Sequence, residues 1–256
     1  MGRIITITNQ KGGVGKTTTA VNLSACLAEA GQQVMLVDFD PQGNATSGLG
    51  LEGEDFDHTV YDMLIEEASV NDCIIRNIQK NLDVLPSDMN LAGAEIEFQE
   101  VEDKEKLLRE CLNQIREEYD FIIIDCPPSL NILTINALTA ADTVLVPIQC
   151  EYYALEGLNQ VLKTVDLVKR KLNPQLELEG VVFTMYDART NLSLEVVESV
   201  KNNLNRTIYK TIIPRNVRLA EAPSHGMSIN LYDSRSTGAE SYRMLAAEVM
   251  SRGEEL

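Results

Sequence analysis

Short apolar runs alternate with amphipathic stretches along most of this chain. Runs rich in aliphatic and β-branched residues occupy 4–8, 34–38, 82–85, 121–125, 143–148, 180–185 and 208–213. Each predicts a strand. Phe121-Ile122-Ile123-Ile124 is apolar without alternation, the pattern of a central parallel strand covered on both faces. Between the strands, apolar residues recur at helical spacing over 16–30, 103–118, 131–140, 155–171, 192–204 and 239–251. Gly31 follows the first of these helices, where a glycine closes a helix well. Strands alternating with helices predict an α/β fold, a mostly parallel twisted sheet with helices on both faces. No repeat, low-complexity tract or linker breaks the pattern, so 1–256 reads as a single domain. Residues 50–80 are the least regular and read as a surface insertion.

A chain of 256 residues can bury one substantial core. No apolar run approaches the ~20 residues that cross a bilayer. The opening Met1-Gly2-Arg3-Ile4-Ile5 is too short and too soon glycine-rich for a signal peptide, so a cytoplasmic location is expected. Cys26, Cys73, Cys111, Cys126 and Cys150 are scattered without paired spacing, and read as buried small apolar residues rather than a disulfide frame or zinc site. His58 and His225 are too isolated to be metal ligands.

The net charge of −17 argues at first sight against a nucleic-acid partner. The charge is uneven, however. Residues 52–120 carry 20 acidic and 6 basic side chains, whereas 199–220 carry Lys201, Arg206, Lys210, Arg215 and Arg218 with no acid. Lys169-Arg170-Lys171 and Arg189 are expected to extend this basic island.

The strongest chemical signal is Lys11-Gly12-Gly13-Val14-Gly15-Lys16-Thr17-Thr18, which follows a strand and opens a helix. That context is the one a phosphate-binding P-loop requires. Glycines let backbone N–H groups crowd phosphate oxygens, and the helix N-terminus adds positive potential. Lys16 can reach the β- and γ-phosphates of ATP, Thr17 can bind Mg²⁺, and Thr18 is placed for the α-phosphate. The usual G-x-x-x-x-G-K-[ST] pattern would put glycine at position 10, where this chain has Gln10. Two further strands end in carboxylates: Asp38 and Asp40 before Pro41, and Asp125 before Cys126-Pro127-Pro128-Ser129. A carboxylate at the end of a central strand suits a Mg²⁺ shell. Asp40 could also simply shape the turn before Pro41. Ser129 is the nearer cap candidate for the helix over 131–140.

The segment Lys11 to Thr18 resembles the deviant Walker A motif of the ParA/MinD family of ATPases. The resemblance implies a P-loop NTPase in which Lys11 reaches across a homodimer interface to the partner's phosphates, with Gly12 at the contact. It further implies that Asp40 positions or activates the attacking water and that Asp38 supports Mg²⁺ through water. The ends of two late strands, here Met185 and Pro214, would hold the adenine. With no arginine obvious near these motifs, basal ATP hydrolysis is expected to be slow and stimulated by a partner.

Within that family, the stretch from Ile213 to Gly226 and the stretch 125–136 resemble the Soj-type ParA subgroup, and the likeness extends over essentially the whole chain. It implies non-specific binding of double-stranded DNA through Arg189, Arg215 and Arg218, a ParB-like centromere-binding partner, and a nucleoid-associated location. No additional N-terminal helix-turn-helix domain is expected. The tail 238–256 has only Arg243 and Arg252 as basic residues and ends Glu254-Glu255-Leu256. A membrane-surface helix would carry a Lys/Arg-rich face, so no membrane partner is expected. Two alternatives stay open: a MinD-like membrane-associated ATPase, and a ParA-like ATPase whose cargo is a protein cluster. A nitrogenase-like iron protein would need a paired-cysteine cluster site that this chain lacks.

Overall fold

The non-alternating run at Phe121–Asp125 lies in the middle of an eight-stranded sheet, with all five residues buried. The computed structural model describes residues 2–52, 56–65, 68–98, 101–204 and 208–253. Its strands are β1 (Arg3–Ile7), β2 (Val34–Asp38), β3 (Ile75–Gln79), β4 (Leu82–Leu85), β5 (Phe121–Asp125), β6 (Thr143–Gln149), β7 (Glu177–Tyr186) and β8 (Ile208–Pro214). Their order is β3-β4-β2-β5-β1-β6-β7-β8, and every pairing is parallel except β3 with β4.

Between them run α1 (Lys16–Glu29), α2 (Asn44–Gly48), α3 (Val60–Ile65), α4 (Ala94–Glu97), α5 (Leu107–Ile115), α6 (Ile132–Ala140), α7 (Ala154–Lys171), α8 (Asn191–Asn203), α9 (Val217–Glu221), α10 (Ile229–Tyr232) and α11 (Thr237–Gly253). Alternate residues of β5 feed two separate cores. Ile122 and Ile124 pack with Leu108, Leu133, Leu158 and Val200 from α5, α6, α7 and α8. Phe121 and Ile123 pack with Leu23, Leu27 and Leu245 from α1 and α11. Period-two alternation thus sends one strand's side chains into both layers. Each fully buried isoleucine contributes about 1.5–3 kcal/mol.

The sheet and both helical layers match the sequence expectation. Gly31 takes the left-handed φ of 95° just beyond α1, as a helix-closing glycine should. Three details differ. Residues 50–80 are not all irregular: they hold α3 and the edge strand β3. β3 is short, half polar, antiparallel and interrupted by a register shift, with Asn77 at φ 57°, so its period is lost. The cap of α6 is Asn131, whose side chain accepts from the Thr134 N–H at 3.2 Å, not Ser129; the Ser129 carbonyl accepts from the Thr134 hydroxyl instead. The stretch 103–118 is also shorter as an α-helix, ending in a 3₁₀ turn at Arg116–Glu118. Of the five cysteines, all are free, Cys111 is half-buried and the rest are buried.

Candidate functional site

The carboxyl ends of β1, β2 and β5 meet at one crevice, the place where open α/β sheets put ligands. The glycine loop leaves β1 and turns into α1. Gly13 and Gly15 hold φ of 73° and 84°, a region where side chains are strained. The loop is braced from outside itself: the Thr184 hydroxyl donates to the Val14 carbonyl at 2.8 Å. On its other flank, Asn9 donates to the Pro147 carbonyl at 2.8 Å and accepts from the Lys11 N–H at 3.1 Å. A braced glycine loop that opens a helix is the setting in which backbone N–H groups bind phosphate.

The two lysines of the loop differ. Lys16 is 7% exposed, and its ammonium donates to the Lys11 carbonyl at 3.1 Å. Burial holds its pKa below the usual lysine range, opposed by the negative charges of Asp125 and Asp40. Lys11 sits half-exposed on the rim, ion-paired with Glu151. Beside it, a Cβ added at Gly12 would meet nothing within 4 Å.

Asp38 and Asp125 are register partners on β2 and β5. Asp38 accepts from both the N–H and the hydroxyl of Thr46, each at 2.8 Å, yet burial raises its pKa to about 6. Asp125 is pushed well above the carboxylate range by burial and by Asp38. Among the described residues neither Asp125 oxygen meets a hydrogen-bond partner in good geometry, although the Thr17 hydroxyl stands close enough to favour its charged form. Two unsatisfied, fully buried oxygens facing a threonine hydroxyl fit a hard divalent cation. Asp40 is 6% exposed. Its carbonyl accepts from the Gly43 N–H and the Ser87 hydroxyl, both at 2.9 Å, and its carboxylate accepts from the Gln42 N–H at 3.0 Å. The loop carrying Asp40 is therefore fixed by backbone contacts and not only by Pro41.

Next to Gly15 and Thr18 opens an apolar cavity of about 360 Å³. Met185 and Pro214 line it, as does Tyr242 of α11. Met185, the last residue but one of β7, has a φ of 50°, rare for this residue.

The basic residues separate into two groups. Arg189, Arg215 and Arg218 follow the carboxyl ends of β7 and β8, on the same side of the sheet as the phosphate loop, and all three are exposed. Lys169, Arg170 and Lys171 end α7 before β7 begins, and Lys201 lies in the last turn of α8 before β8 begins, so they lie at the opposite end of the sheet, while Lys210 lies within β8. The island expected from 199–220, with its extension at 169–171, is therefore not one patch. Arg206 lies outside the described residues, as does the tail 254–256.

Sequence reading missed the supports: Thr184 under the loop, Asn9 beside it, Thr46 on Asp38 and Glu151 on Lys11. Asn9 and Thr46 lie close in sequence to the motifs they serve, and Thr184 and Glu151 do not.

A strand, a glycine loop, a helix and carboxylates on the adjacent strands define a P-loop NTPase of the deviant Walker type. A family model described as an AAA domain matches residues 2–178. The chain is 60% identical over 253 residues to the sporulation initiation inhibitor protein Soj of Bacillus subtilis, covering 99% of this chain and 100% of that one. It is 51% identical over 252 residues to the chromosome partitioning protein ParA of Myxococcus xanthus, covering 98% and 89%. Among solved structures it resembles a cobyrinic acid a,c-diamide synthase from Mycobacterium smegmatis with bound ATP analog and magnesium, at TM-score 0.87 and 35% identity, covering 99% and 96%. The chain belongs to the Soj/ParA family of partitioning ATPases. Among the described residues, no helix is long and apolar enough to cross a membrane.

Proposed function

We propose that this chain is an ATPase that dimerises on ATP, binds DNA without sequence preference as the ATP dimer, and partitions chromosome or plasmid DNA with a ParB-like partner. The observation that carries the reading is the contrast between the two loop lysines. Lys16 is buried against the carboxylates; Lys11 waits on the rim beside a glycine at position 12 that one chain does not need. Gly12 has no left-handed φ and no neighbour to avoid. A second chain seated over the loop would explain both features.

In this reading Lys16 and the loop N–H groups hold the β- and γ-phosphates, and Thr18 the α-phosphate. Met185 and Pro214 clasp the adenine in the adjacent apolar cavity. Thr17 and Asp125, with Asp38 behind them, would hold Mg²⁺, which when bound neutralises phosphate charge. Asp40 orients the attacking water and takes up its proton. Lys11 leaves Glu151 and reaches the partner subunit's phosphates. Arg189, Arg215 and Arg218 of both subunits meet DNA phosphates. Doubling the number of phosphate contacts on dimerisation doubles the salt slope of binding. The second half-site then binds at high effective concentration. Carboxylates beyond the Debye length of ~8 Å are largely screened from a phosphate contact, while nearer ones keep the single chain's DNA affinity low.

The test is duplex binding with a non-hydrolysable ATP analogue, with ADP and with no nucleotide, at two salt concentrations. Binding with the analogue alone, falling steeply with salt, is expected. Equal binding by the empty protein would contradict the reading.

A further inference from the structure

The three arginines at the strand ends come with their own anions. The Arg189 guanidinium lays two N–H groups on the two Asp187 oxygens, at 2.9 and 2.7 Å, while the Arg189 N–H closes a turn on the same carboxylate at 3.0 Å. The Arg215 charge also acts on Asp187, and the Arg215 N–H hangs from the Tyr186 carbonyl at 2.9 Å. Arg218 donates to Glu221 at 2.8 Å and faces Asp233 at 3.5 Å. Glu221 is in turn held by the Tyr232 hydroxyl at 3.1 Å. Three cations therefore face Asp187, Glu221 and Asp233, and the patch carries no net charge of its own.

The fork-on-fork geometry matters more than the count. A carboxylate offers Arg the same two parallel acceptors that a phosphate does. Asp187 occupies both acceptor positions that a DNA phosphate would take on Arg189, and Glu221 occupies one of those on Arg218. The arginines are accessible: the Arg189 side chain is 86% exposed and that of Arg218 54%, so a phosphate can reach either guanidinium without moving the fold.

We infer that Asp187 and Glu221 are built-in competitors for DNA phosphate, which hold the free chain's DNA affinity down. The inference rests on the reading that Arg189, Arg215 and Arg218 form the DNA surface. A phosphate contact on Arg189 or Arg218 must first break an internal ion pair. Exposed pairs of this kind are weak, so each competitor lowers affinity by about two- to fivefold per subunit. In a dimer the factors multiply across both half-sites. The competitors thus lower the affinity of one chain and of the pair alike, and the pair, with two half-sites on one duplex, still binds where a single chain does not.

The experiment is fluorescence anisotropy of a labelled duplex of arbitrary sequence, with and without a non-hydrolysable ATP analogue. Asp187→Asn, Glu221→Gln and the double variant are compared with Glu117→Gln. Glu117 is exposed just before β5, at the far end of the sheet, and its substitution changes net charge equally. Expected is tighter binding by about two- to fivefold for each site variant and more for the double. Glu117→Gln should match the parent, and the thermal midpoints should stay unchanged. Site variants that bind no more tightly than Glu117→Gln, or that bind more weakly, overturn the inference. Arg189→Ala and Arg218→Ala separate the two levels. If both bind DNA like the parent, the surface is elsewhere and the DNA reading itself fails. If they lose DNA while the acid variants stay at the control level, only the competition fails.

Discussion

Asp38 and Asp125 stand opposite each other on adjacent parallel strands, both without exposed surface. Like charges buried side by side are costly, and both groups respond by holding protons above the usual carboxylate range. The fold tolerates this strain at the crevice where a divalent cation and a polyphosphate would relieve it.

The strain has a sign in stability. A carboxyl whose folded pKa is raised binds more protons folded than unfolded, so its contribution worsens as pH rises through the window between the two values. For Asp38 that window runs from 3.8 to about 6. The nucleotide-free protein should therefore lose stability from these two groups as pH climbs toward 7. Asp125→Asn should raise the melting temperature at pH 7 by roughly 3–8 °C and flatten its dependence on pH above 4. It should also weaken Mg²⁺-dependent nucleotide binding. Calorimetry across pH checks the first outcome, and a lower melting temperature would remove the buried pair from the account.

Lys16 supplies the cation that faces Asp125 and Asp40 from within the loop. Lys16→Ala should lower ATP affinity by at least about a hundredfold, the scale of losing one desolvated charge-assisted contact to phosphate. Isothermal titration with ATP·Mg²⁺ measures it, and retained tight binding would refute the loop assignment.

Asp40 is fixed by its own backbone, so its removal should leave the site standing. Asp40→Ala should keep ATP binding, dimerisation and DNA binding, while turnover drops by about a hundredfold or more. The variant would accumulate as ATP dimer on DNA. Phosphate release assays decide this, and normal turnover would exclude Asp40 from the reaction.

How much of this was legible in the sequence follows from what repeats or clusters along the chain. The seven main strands and the long helices show in their hydrophobic periods because each buries a face over many residues. The loop 11–18 and the three carboxylates show because chemistry packs them into short strings. The braces do not. Thr184 reaches Val14 across 170 positions, and Glu151 reaches Lys11 from the end of a different strand. Such pairs obey no period, and only the folded sheet brings them together. The edge strand β3 was missed because it is half exposed, and the counter-ions of the arginines because a charged residue near another reads as solvated surface. The linear run of basic residues at 199–220 misled for the same reason in reverse: neighbours in sequence lie at opposite ends of a strand.

Gly12 and the account of two chains meet in one measurement. Light scattering is run on the parent and on Gly12→Val with Mg²⁺ and a non-hydrolysable ATP analogue, after both have been shown to bind it. The Cβ at position 12 meets nothing in one chain, so the variant should fold and bind nucleotide normally. The account predicts the mass of two chains for the parent and of one for the variant. A parent that stays single with analogue bound, or a variant that pairs as readily, would contradict it.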